Sequence, residues 1–336
     1  MSHPPPGLAI RAAHFPDDAA PAAELLNASN PDWPVNAELL QHEHDHRDPN
    51  LFFTERLAEQ GGQLLGVMGV GHDDFAHDEG RYWANLHVHP DARNRGVGSA
   101  LYAEFLSILK ARGAREARTM LTETDEPGIR FLKIRGWQET WRRHEFRLDT
   151  AAVVLPTPAD LGSLRLESLE ALNNDPQRNA YLHELDWLLF QDVPMGMTLT
   201  RRPLDVWVQQ ELEEPSMRPA MSFVLLDDAV NDPLTGPYVG YTTLGQNPGG
   251  FYFIGMTGVR REYRGRGLAR ALKLASMRAM QQLGSETGSS EIRTFNDPPN
   301  VAMIAMNRAL GFVQQPDRVR YELQLDPATA DRRTEG

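Results

Sequence analysis

Strand-like and helix-like stretches succeed one another along the chain, in the same order in both halves. Residues 63–71 and 81–88 have the composition and turn boundaries of two consecutive strands, and residues 237–244 and 251–259 repeat them in the second half. A glycine-rich segment follows each pair, and beyond it apolar residues recur every three or four positions, which predicts a helix. These apolar positions are Val97, Leu101, Phe105 and Ile108, and then Leu268, Leu272, Ala275, Ala279 and Leu283.

Further elements complete each half in the same order. A short strand is predicted after each helix, at 117–121 and 291–295, and a second helix then ends at a Gly-aromatic pair. Short strands at 8–11 and 164–167 open the two halves. This succession of strands and helices on a mixed sheet predicts a layered α/β (α+β) fold.

The two glycine-rich segments are copies of one pattern. A shift of 171 residues places Val88 on Val259 and Gly96 on Gly267, with the intervening landmarks in the same order. Ordered landmarks at nearly constant spacing do not arise easily by chance. The sequence therefore indicates a tandem duplication.

The ends of the two copies also match, since residues 143–149 resemble residues 320–326. Between the copies lies a stretch with two prolines and a glycine, which suits a linker. We therefore predict an N-terminal domain at 1–150, a linker at 151–163 and a C-terminal domain at 164–336.

Each glycine segment joins a strand to a helix and combines two glycines with two arginines, namely Gly96 and Gly98 with Arg93 and Arg95, and Gly265 and Gly267 with Arg264 and Arg266. Glycines let the backbone approach a ligand closely. A helix N-terminus offers unpaired N–H groups to a pyrophosphate, and arginines add charge-assisted hydrogen bonds. The segments therefore predict a phosphate-binding loop.

Two common phosphate-binding motifs do not fit this loop. A P-loop needs Gly-Lys-Ser/Thr, which neither segment contains. The dinucleotide fingerprint needs a third small residue where the second segment has Arg270, and its glycine loop opens the fold, whereas about 90 residues precede the loop in each repeat.

The two segments resemble the acetyl-CoA motif of the GNAT superfamily of N-acetyltransferases, Gln/Arg-x-x-Gly-x-Gly/Ala, at 93–98 and at 264–269. The second half also resembles the family's second conserved block, with Asn300, Asn307 and the Gly-Phe pair at 311–312. The resemblance covers nearly the whole chain, once per half. It implies two tandem GNAT-like domains, each with a mixed, mostly antiparallel central sheet flanked by helices. The mycothiol synthase-like branch of the family has a similar two-unit layout.

The resemblance also implies where acetyl-CoA binds as cosubstrate. Its pantetheine arm would pair with the central strands, at Thr257, Gly258 and Val259 and at Leu86, His87 and Val88. Its pyrophosphate would contact the loops, at Arg264, Gly265, Arg266, Gly267, Leu268, Ala269 and Arg270 and at Arg93, Asn94, Arg95, Gly96, Val97, Gly98 and Ser99. Asn300 and Asn307 would contact the arm from the second helix.

The catalytic groups depart from the family's pattern. The tyrosine that often protonates the departing thiolate corresponds to Asn307 in the second half and to Leu132 in the first. The central strand 252–259 carries no acid that could serve as base. We expect a replacement base in the segment that would line the acceptor site.

The replacement candidates are Glu184, Asp186 and Asp192 as bases and Tyr321 as acid. The second helix of the first half has no asparagine to match those of the second half. We therefore expect the second half to catalyse the reaction, and the first half to bind CoA weakly or only to support the pair.

Composition narrows the class of protein and of partner. With 46 acidic against 34 basic residues, the formal net charge of -12 disfavours nucleic acid and favours cationic ligands such as amines. The absence of cysteine excludes disulfides and thiolate metal sites. No apolar run approaches the roughly 18 residues that a membrane span needs, and the start lacks a secretory pattern, so we expect a cytoplasmic protein.

The histidines at 42, 44 and 46 diverge on a helix, and we expect no metal site there. Three functional hypotheses remain open. The first is an acetyl-CoA-dependent N-acetyltransferase that acts on a primary amine of a small molecule. The second is a non-catalytic CoA-binding or sensing protein, and the third is a nucleotide-dependent oxidoreductase on a Rossmann sheet. The sequence is compatible with a monomer or a homodimer.

Overall fold

The computed structural model describes residues 5–158, 160–283 and 288–325. The first half contains β1 (Ala9–Ala12), α1 (Ala19–Ser29), α2 (Ala37–Asp45), β2 (Phe53–Gln60), β3 (Gln63–Gly71), β4 (Arg81–Val88), α3 (Val97–Ala111), β5 (Glu116–Thr122), α4 (Glu126–Lys133) and β6 (Gln138–Asp149). The second half contains β7 (Arg165–Ser168), α5 (Arg178–Phe190), α6 (Leu204–Trp207), β8 (Phe223–Leu226), β9 (Tyr238–Gln246), β10 (Tyr252–Val259), α7 (Leu268–Leu283), β11 (Glu291–Asn296), α8 (Val301–Ala309), β12 (Val313–Gln314) and β13 (Arg318–Gln324).

The chain forms two compact units. The first contains the chain up to Arg142, the short segment Thr198–Thr200 and the C-terminal stretch that begins at Pro316. The second contains Arg143–Met197 and Arg201–Gln315. Between Ala152 and Arg165, the described residues form no helix or strand.

Each unit has its own sheet. The strand order is β1-β2-β3-β4-β5-β13 in the first unit and β6-β11-β10-β9-β8-β7 in the second, where β12 also pairs with β6. Neighbouring strands are antiparallel, apart from the parallel pairs β4 with β5 and β10 with β11. The predicted layered α/β fold with mostly antiparallel sheets is confirmed. A Rossmann fold requires a parallel sheet, so the oxidoreductase hypothesis is wrong.

The last strand of each half completes the sheet of the other half's unit. β13 pairs with β5 over its full length. In the second unit, the part of β6 from His144 onward pairs with β11. These are the two strands whose sequences match as the ends of the repeats, and each lies beside the equivalent parallel strand. The compact units therefore differ from the two contiguous stretches of the sequence repeat.

Apolar residues at helical spacing form the cores. In the first unit, Leu101 and Phe105 of α3 pack with Met68 of β3 and Tyr82 of β4, and all four are buried. Burial of one such side chain contributes about 2 kcal/mol, so this packing fixes α3 against the sheet. No helix within the described ranges is long and apolar enough to cross a bilayer.

Candidate active site

The parallel strand pair at the centre of each unit separates. β10 pairs with β11 only at Tyr252 and Phe253, although it continues to Val259. In the first unit, β4 pairs with β5 only over 81–83 and then continues to Val88. Over the described part of the chain, no other strand pairs with these edges. An extended ligand can therefore add as a strand along these edges, except at the terminal carbonyls of Val88 and Val259, which accept hydrogen bonds from arginines.

A β-bulge accompanies the separation in the second unit. The register between β9 and β10 shifts between Ile254 and Thr257. Thr243 Oγ1 accepts a hydrogen bond from Met256 N at 3.1 Å, and a Cβ on Gly255 would lie 2.7 Å from the same oxygen. The bulge bends β10 where it leaves β11, as bulges do beside functional sites.

The glycine loops have the same backbone conformation in both units. Gly265 and Gly267 have φ values of 76° and 75°, and the matching residues Asn94 and Gly96 have 61° and 90°. Asparagine is one of the few other residues that tolerate this left-handed region. Such turns present successive N–H groups to an anion, and a helix N-terminus follows directly.

The backbone angle gives these loops a further reason to contain glycine. A Cβ on Gly265 or Gly267 would meet no protein atom within 4 Å, so within the protein itself the left-handed backbone angle, and not crowding, favours glycine there. Gly98 lies inside α3, where a Cβ would make ordinary contacts at 3.5 Å. The equivalent residue of the second unit is Ala269, whose Cβ a site with such contacts can accommodate.

The first arginine of each loop points back to the strand. Arg93 Nε donates to Val88 O, and Arg264 Nε donates to Val259 O, both at 3.2 Å. Arg264 also forms an ion pair with Asp192. The second arginines, at positions 95 and 266, belong to exposed residues. The guanidinium of Arg266 lies over the ring of Tyr263, 5.5 Å from its centroid.

The two asparagines of the second helix have internal partners. Asn300 caps α8 by accepting a hydrogen bond from Met303 N at 3.4 Å. Asn307 is fully buried; it donates to Asn296 Oδ1 at 2.6 Å and accepts from Lys273 Nζ at 2.7 Å. This network connects α8 to β11 and α7, and burial lowers the pKa of Lys273 to about 7.

Three of the four candidate catalytic residues lie in different surroundings from one another. Asp192 binds Arg261 and Arg264, and the hydrogen bonds from Arg261 lead the effects that lower its pKa. Glu184 forms an ion pair with Arg201. Tyr321 is buried in the core of the first unit, on β13, and burial raises its pKa. Of the three, only Tyr321 is a buried core residue.

Asp186 is the carboxylate on the buried side of α5. It accepts hydrogen bonds from Trp207 Nε1 at 2.8 Å and from the hydroxyl of Tyr241, and burial raises its pKa. Tyr241 lies opposite Gly258 on the free part of β10. One turn after Asp186, Leu189 packs so closely that a Cβ on Gly258 would lie 2.9 Å from it. Asp186 is therefore close to the free part of β10.

One group of possible metal ligands lies between β3 and β4. His72, His77 and Glu79 each place one donor atom within 4.8 Å of the others. However, His72 Nδ1 accepts a hydrogen bond from Phe52 N at 3.4 Å, which leaves the proton of the neutral ring on the other nitrogen. That ring then has no lone pair for a cation, and we assign no ion to this group.

These features define a class of protein: a tandem α/β protein in which a glycine-containing loop at a helix N-terminus lies beside a divergent strand in each unit. The sequence profile of the Acetyltransferase (GNAT) family matches residues 20–137 and 168–312. The chain therefore belongs to this family, and the predicted membership and tandem layout are confirmed.

Individual relatives agree with the family. An acetyltransferase of Pectobacterium atrosepticum is 35% identical over 84 residues, which are 25% of this chain and 55% of that protein. An acetyltransferase of Sodalis glossinidius is 36% identical over 76 residues, 23% of this chain and 49% of that protein. The chain thus spans about half the length of the curated relatives it matches.

Two solved structures resemble the whole fold. A tandem GNAT protein from the clavulanic acid biosynthesis pathway has a TM-score of 0.73 at 21% identity and covers 94% of this chain and 98% of its own. A GCN5-related N-acetyltransferase from Sphaerobacter thermophilus has a TM-score of 0.68 at 16% identity and covers 96% and 97%. At these identities the likeness concerns the fold.

Proposed function

We propose that this protein transfers an acetyl group from acetyl-CoA to a primary amine of a small molecule, by direct attack in a ternary complex. The observation that carries the proposal is the separation of β10 from β11 beside the loop that precedes α7. A thioester arm can add to the free strand edge while its pyrophosphate contacts the loop. The first unit has the same arrangement at β4.

The loop and the strand would divide the work of binding. Amides of 264–270, and of 94–99 in the first unit, would hold the pyrophosphate, with Arg266 or Arg95 adding charge. Backbone groups of 257–259 would pair with the pantetheine arm, and an N–H there would polarise the thioester carbonyl. Asn300 remains a candidate for contact with the arm, whereas Asn307 would act by holding α7, α8 and β11 together.

We propose Asp186 as the general base for acetyl transfer in the second unit. An alkylamine has a pKa of about 10.4, so a base must help to remove its proton at neutral pH. Burial raises the pKa of the Asp186 carboxylate, which makes it a stronger base. Asp192 is a weaker base, because hydrogen bonds from the guanidinium groups of Arg261 and Arg264 lower its pKa. The amine attacks the carbonyl carbon, the carbon–sulfur bond breaks, and the electron pair stays on sulfur.

The departing thiol needs less assistance than the amine. A thiol pKa near 8.5 makes the thiolate a tolerable leaving group at neutral pH. A tyrosine at position 307 is therefore dispensable in energetic terms. The negative net charge of -12 supports a cationic amine as acceptor and disfavours a nucleic acid.

The test is release of free CoA thiol from acetyl-CoA in the presence of a panel of small alkylamines. We expect turnover by the wild-type protein and a loss of kcat of about 100-fold in Asp186→Asn, because general base catalysis contributes roughly that much. Asp205→Asn, at an exposed position on α6, is the matched control. Tight CoA binding without turnover of any amine would instead favour the sensor hypothesis.

A further inference from the structure

The free strand of the first unit carries a histidine on the side opposite α3. His87 of β4 lies directly across from Val67 of β3. Val67 packs in the cluster formed by α1 and β2, so the His87 side chain faces α1. The adjacent residues Leu86 and Val88 point the other way, toward Gly98 of α3. His87 therefore lies on the free edge of β4, on the face of the sheet opposite α3.

The imidazole is held in one orientation. His87 Nδ1 is 3.0 Å from the hydroxyl of Ser29 at the end of α1, and Arg93 donates to the carbonyl of the same serine at 3.3 Å. Within the described part of the chain, Ser29 is the side chain that hydrogen-bonds to this ring. Burial, followed by the charge of Arg93, lowers the pKa of His87 to about 4, while Asp125 acts in the opposite direction.

The second unit has no equivalent group. The same position is Gly258, and Leu189 of α5 occupies the space where a side chain would lie. The two units therefore place different chemistry beside equivalent strands: an imidazole in the first, and a leucine with a nearby carboxylate in the second.

We propose that the first unit is a second acetyl-transfer site, in which His87 accepts the proton of a weakly basic amine such as an arylamine. The inference rests on the proposed use of acetyl-CoA. The nitrogen of the amine forms a bond to the carbonyl carbon, and the carbon–sulfur bond breaks with its electron pair on sulfur. The proton passes from that nitrogen to His87 Nε2, and from there to the thiolate or to water.

The surroundings of His87 select this class of acceptor. Of the two charged groups that act on His87, Arg93 has a larger effect than Asp125. The local charge therefore disfavours an ammonium ion, and alkylamines, which are charged at neutral pH, bind poorly there. Arylamines are neutral at the same pH and attack without prior loss of a proton. Their adducts are also stronger acids than those of alkylamines, which suits a weakly basic imidazole as acceptor.

The experiment separates the two units with loop variants of the full chain. Thiol release and acetylated product are measured with 4-methoxyaniline and with n-butylamine for the wild type, Gly96→Glu, Gly267→Glu and His87→Gln. Arg95→Glu and Arg266→Glu serve as second loop variants if a glycine variant does not fold, as judged by thermal denaturation. His44→Gln, on an exposed face of α2, is the matched control.

We expect Gly96→Glu to abolish acetylation of 4-methoxyaniline and Gly267→Glu to spare it. His87→Gln should lower kcat for 4-methoxyaniline about 100-fold without changing the affinity for CoA in calorimetry. Arylamine turnover that survives His87→Gln, or that is lost in Gly267→Glu, would overturn the inference. Turnover of n-butylamine alone by the wild type would overturn it while leaving the proposed function intact; turnover of neither amine would overturn both.

Discussion

Replacement of the buried lysine of α7 gives a direct test of the interior of the second unit. Lys273 is fully buried, its Nζ atom is 2.7 Å from Asn307 Oδ1, and burial lowers its pKa from 10.5 to about 7. Between these two values the unfolded chain binds a proton at this lysine that the folded protein does not. The contribution of Lys273 to the free energy of unfolding therefore rises with pH across this window and is constant below about 7 and above about 10.5.

The size of this effect follows from the shift. One pKa unit corresponds to about 1.4 kcal/mol, so the contribution of Lys273 should change by roughly 3 kcal/mol between pH 7.5 and pH 9.5. Lys273→Met removes this dependence. It also leaves Asn307 Oδ1 without its donor, at a cost of about 1–3 kcal/mol that does not vary with pH. The slope is therefore diagnostic, and the offset is not.

Urea denaturation at several pH values between 7 and 9.5 measures this slope as the difference in unfolding free energy between the wild type and Lys273→Met. Taking the difference cancels the other groups that titrate in this range. Lys110→Met, at an exposed position of α3, should show no slope. If the difference in unfolding free energy between the wild type and Lys273→Met does not change with pH, the reasoning is refuted, because the lysine would then be charged in the folded protein.

Four further substitutions test the strand and the loop. Gly258→Ala should destabilise the second unit by about 1–3 kcal/mol in thermal denaturation, because α5 packs against this position; a change below 0.5 kcal/mol, about the size of a surface substitution, would contradict that packing. Gly267→Ala should lower the free energy of unfolding by about 1–2 kcal/mol, because its backbone is left-handed, and should weaken CoA binding in calorimetry. Gly98→Ala should leave the stability unchanged, and equal effects of the two substitutions would contradict this reasoning. Thr257→Val should cost about 1–3 kcal/mol in urea denaturation, because the Thr242 hydroxyl at 2.8 Å loses its buried partner, and unchanged stability would count against this bond.

The strongly periodic elements were predictable from the sequence alone. The predicted strands 63–71 and 81–88 agree residue for residue with β3 and β4, and the helix predicted from Leu268 to Leu283 agrees with α7. Here local signals coincide, because glycine or turn residues bound a stretch of consistent period. β2 was missed, since its burial is irregular along the strand.

The directions of site residues were less predictable. The spacing of the loops identified Arg93 and Arg264 but not that both turn back to the strand end. Asp186 was one of three acids of similar rank, and only the packing of α5 on β9 places its carboxylate beside Tyr241. A signal was present, because this acid lies between the apolar positions 185 and 189 of one helix face.

The exchange of terminal strands cannot be predicted from the sequence repeat. It determines which experiment can tell the activities of the two units apart. Residues 143–149 and 320–326 match as equivalents, yet β13 completes the first sheet and the C-terminal part of β6 completes the second. A fragment ending at 150 would retain β6 and lack β13, which leaves the long edge of β5 unpaired, and unpaired edges favour association. Loss of activity in such a fragment would report a missing strand and not a missing catalytic group. Point substitutions in the full chain, at the loops and at His87 or Asp186, therefore assign acetyl transfer to a unit where truncation does not.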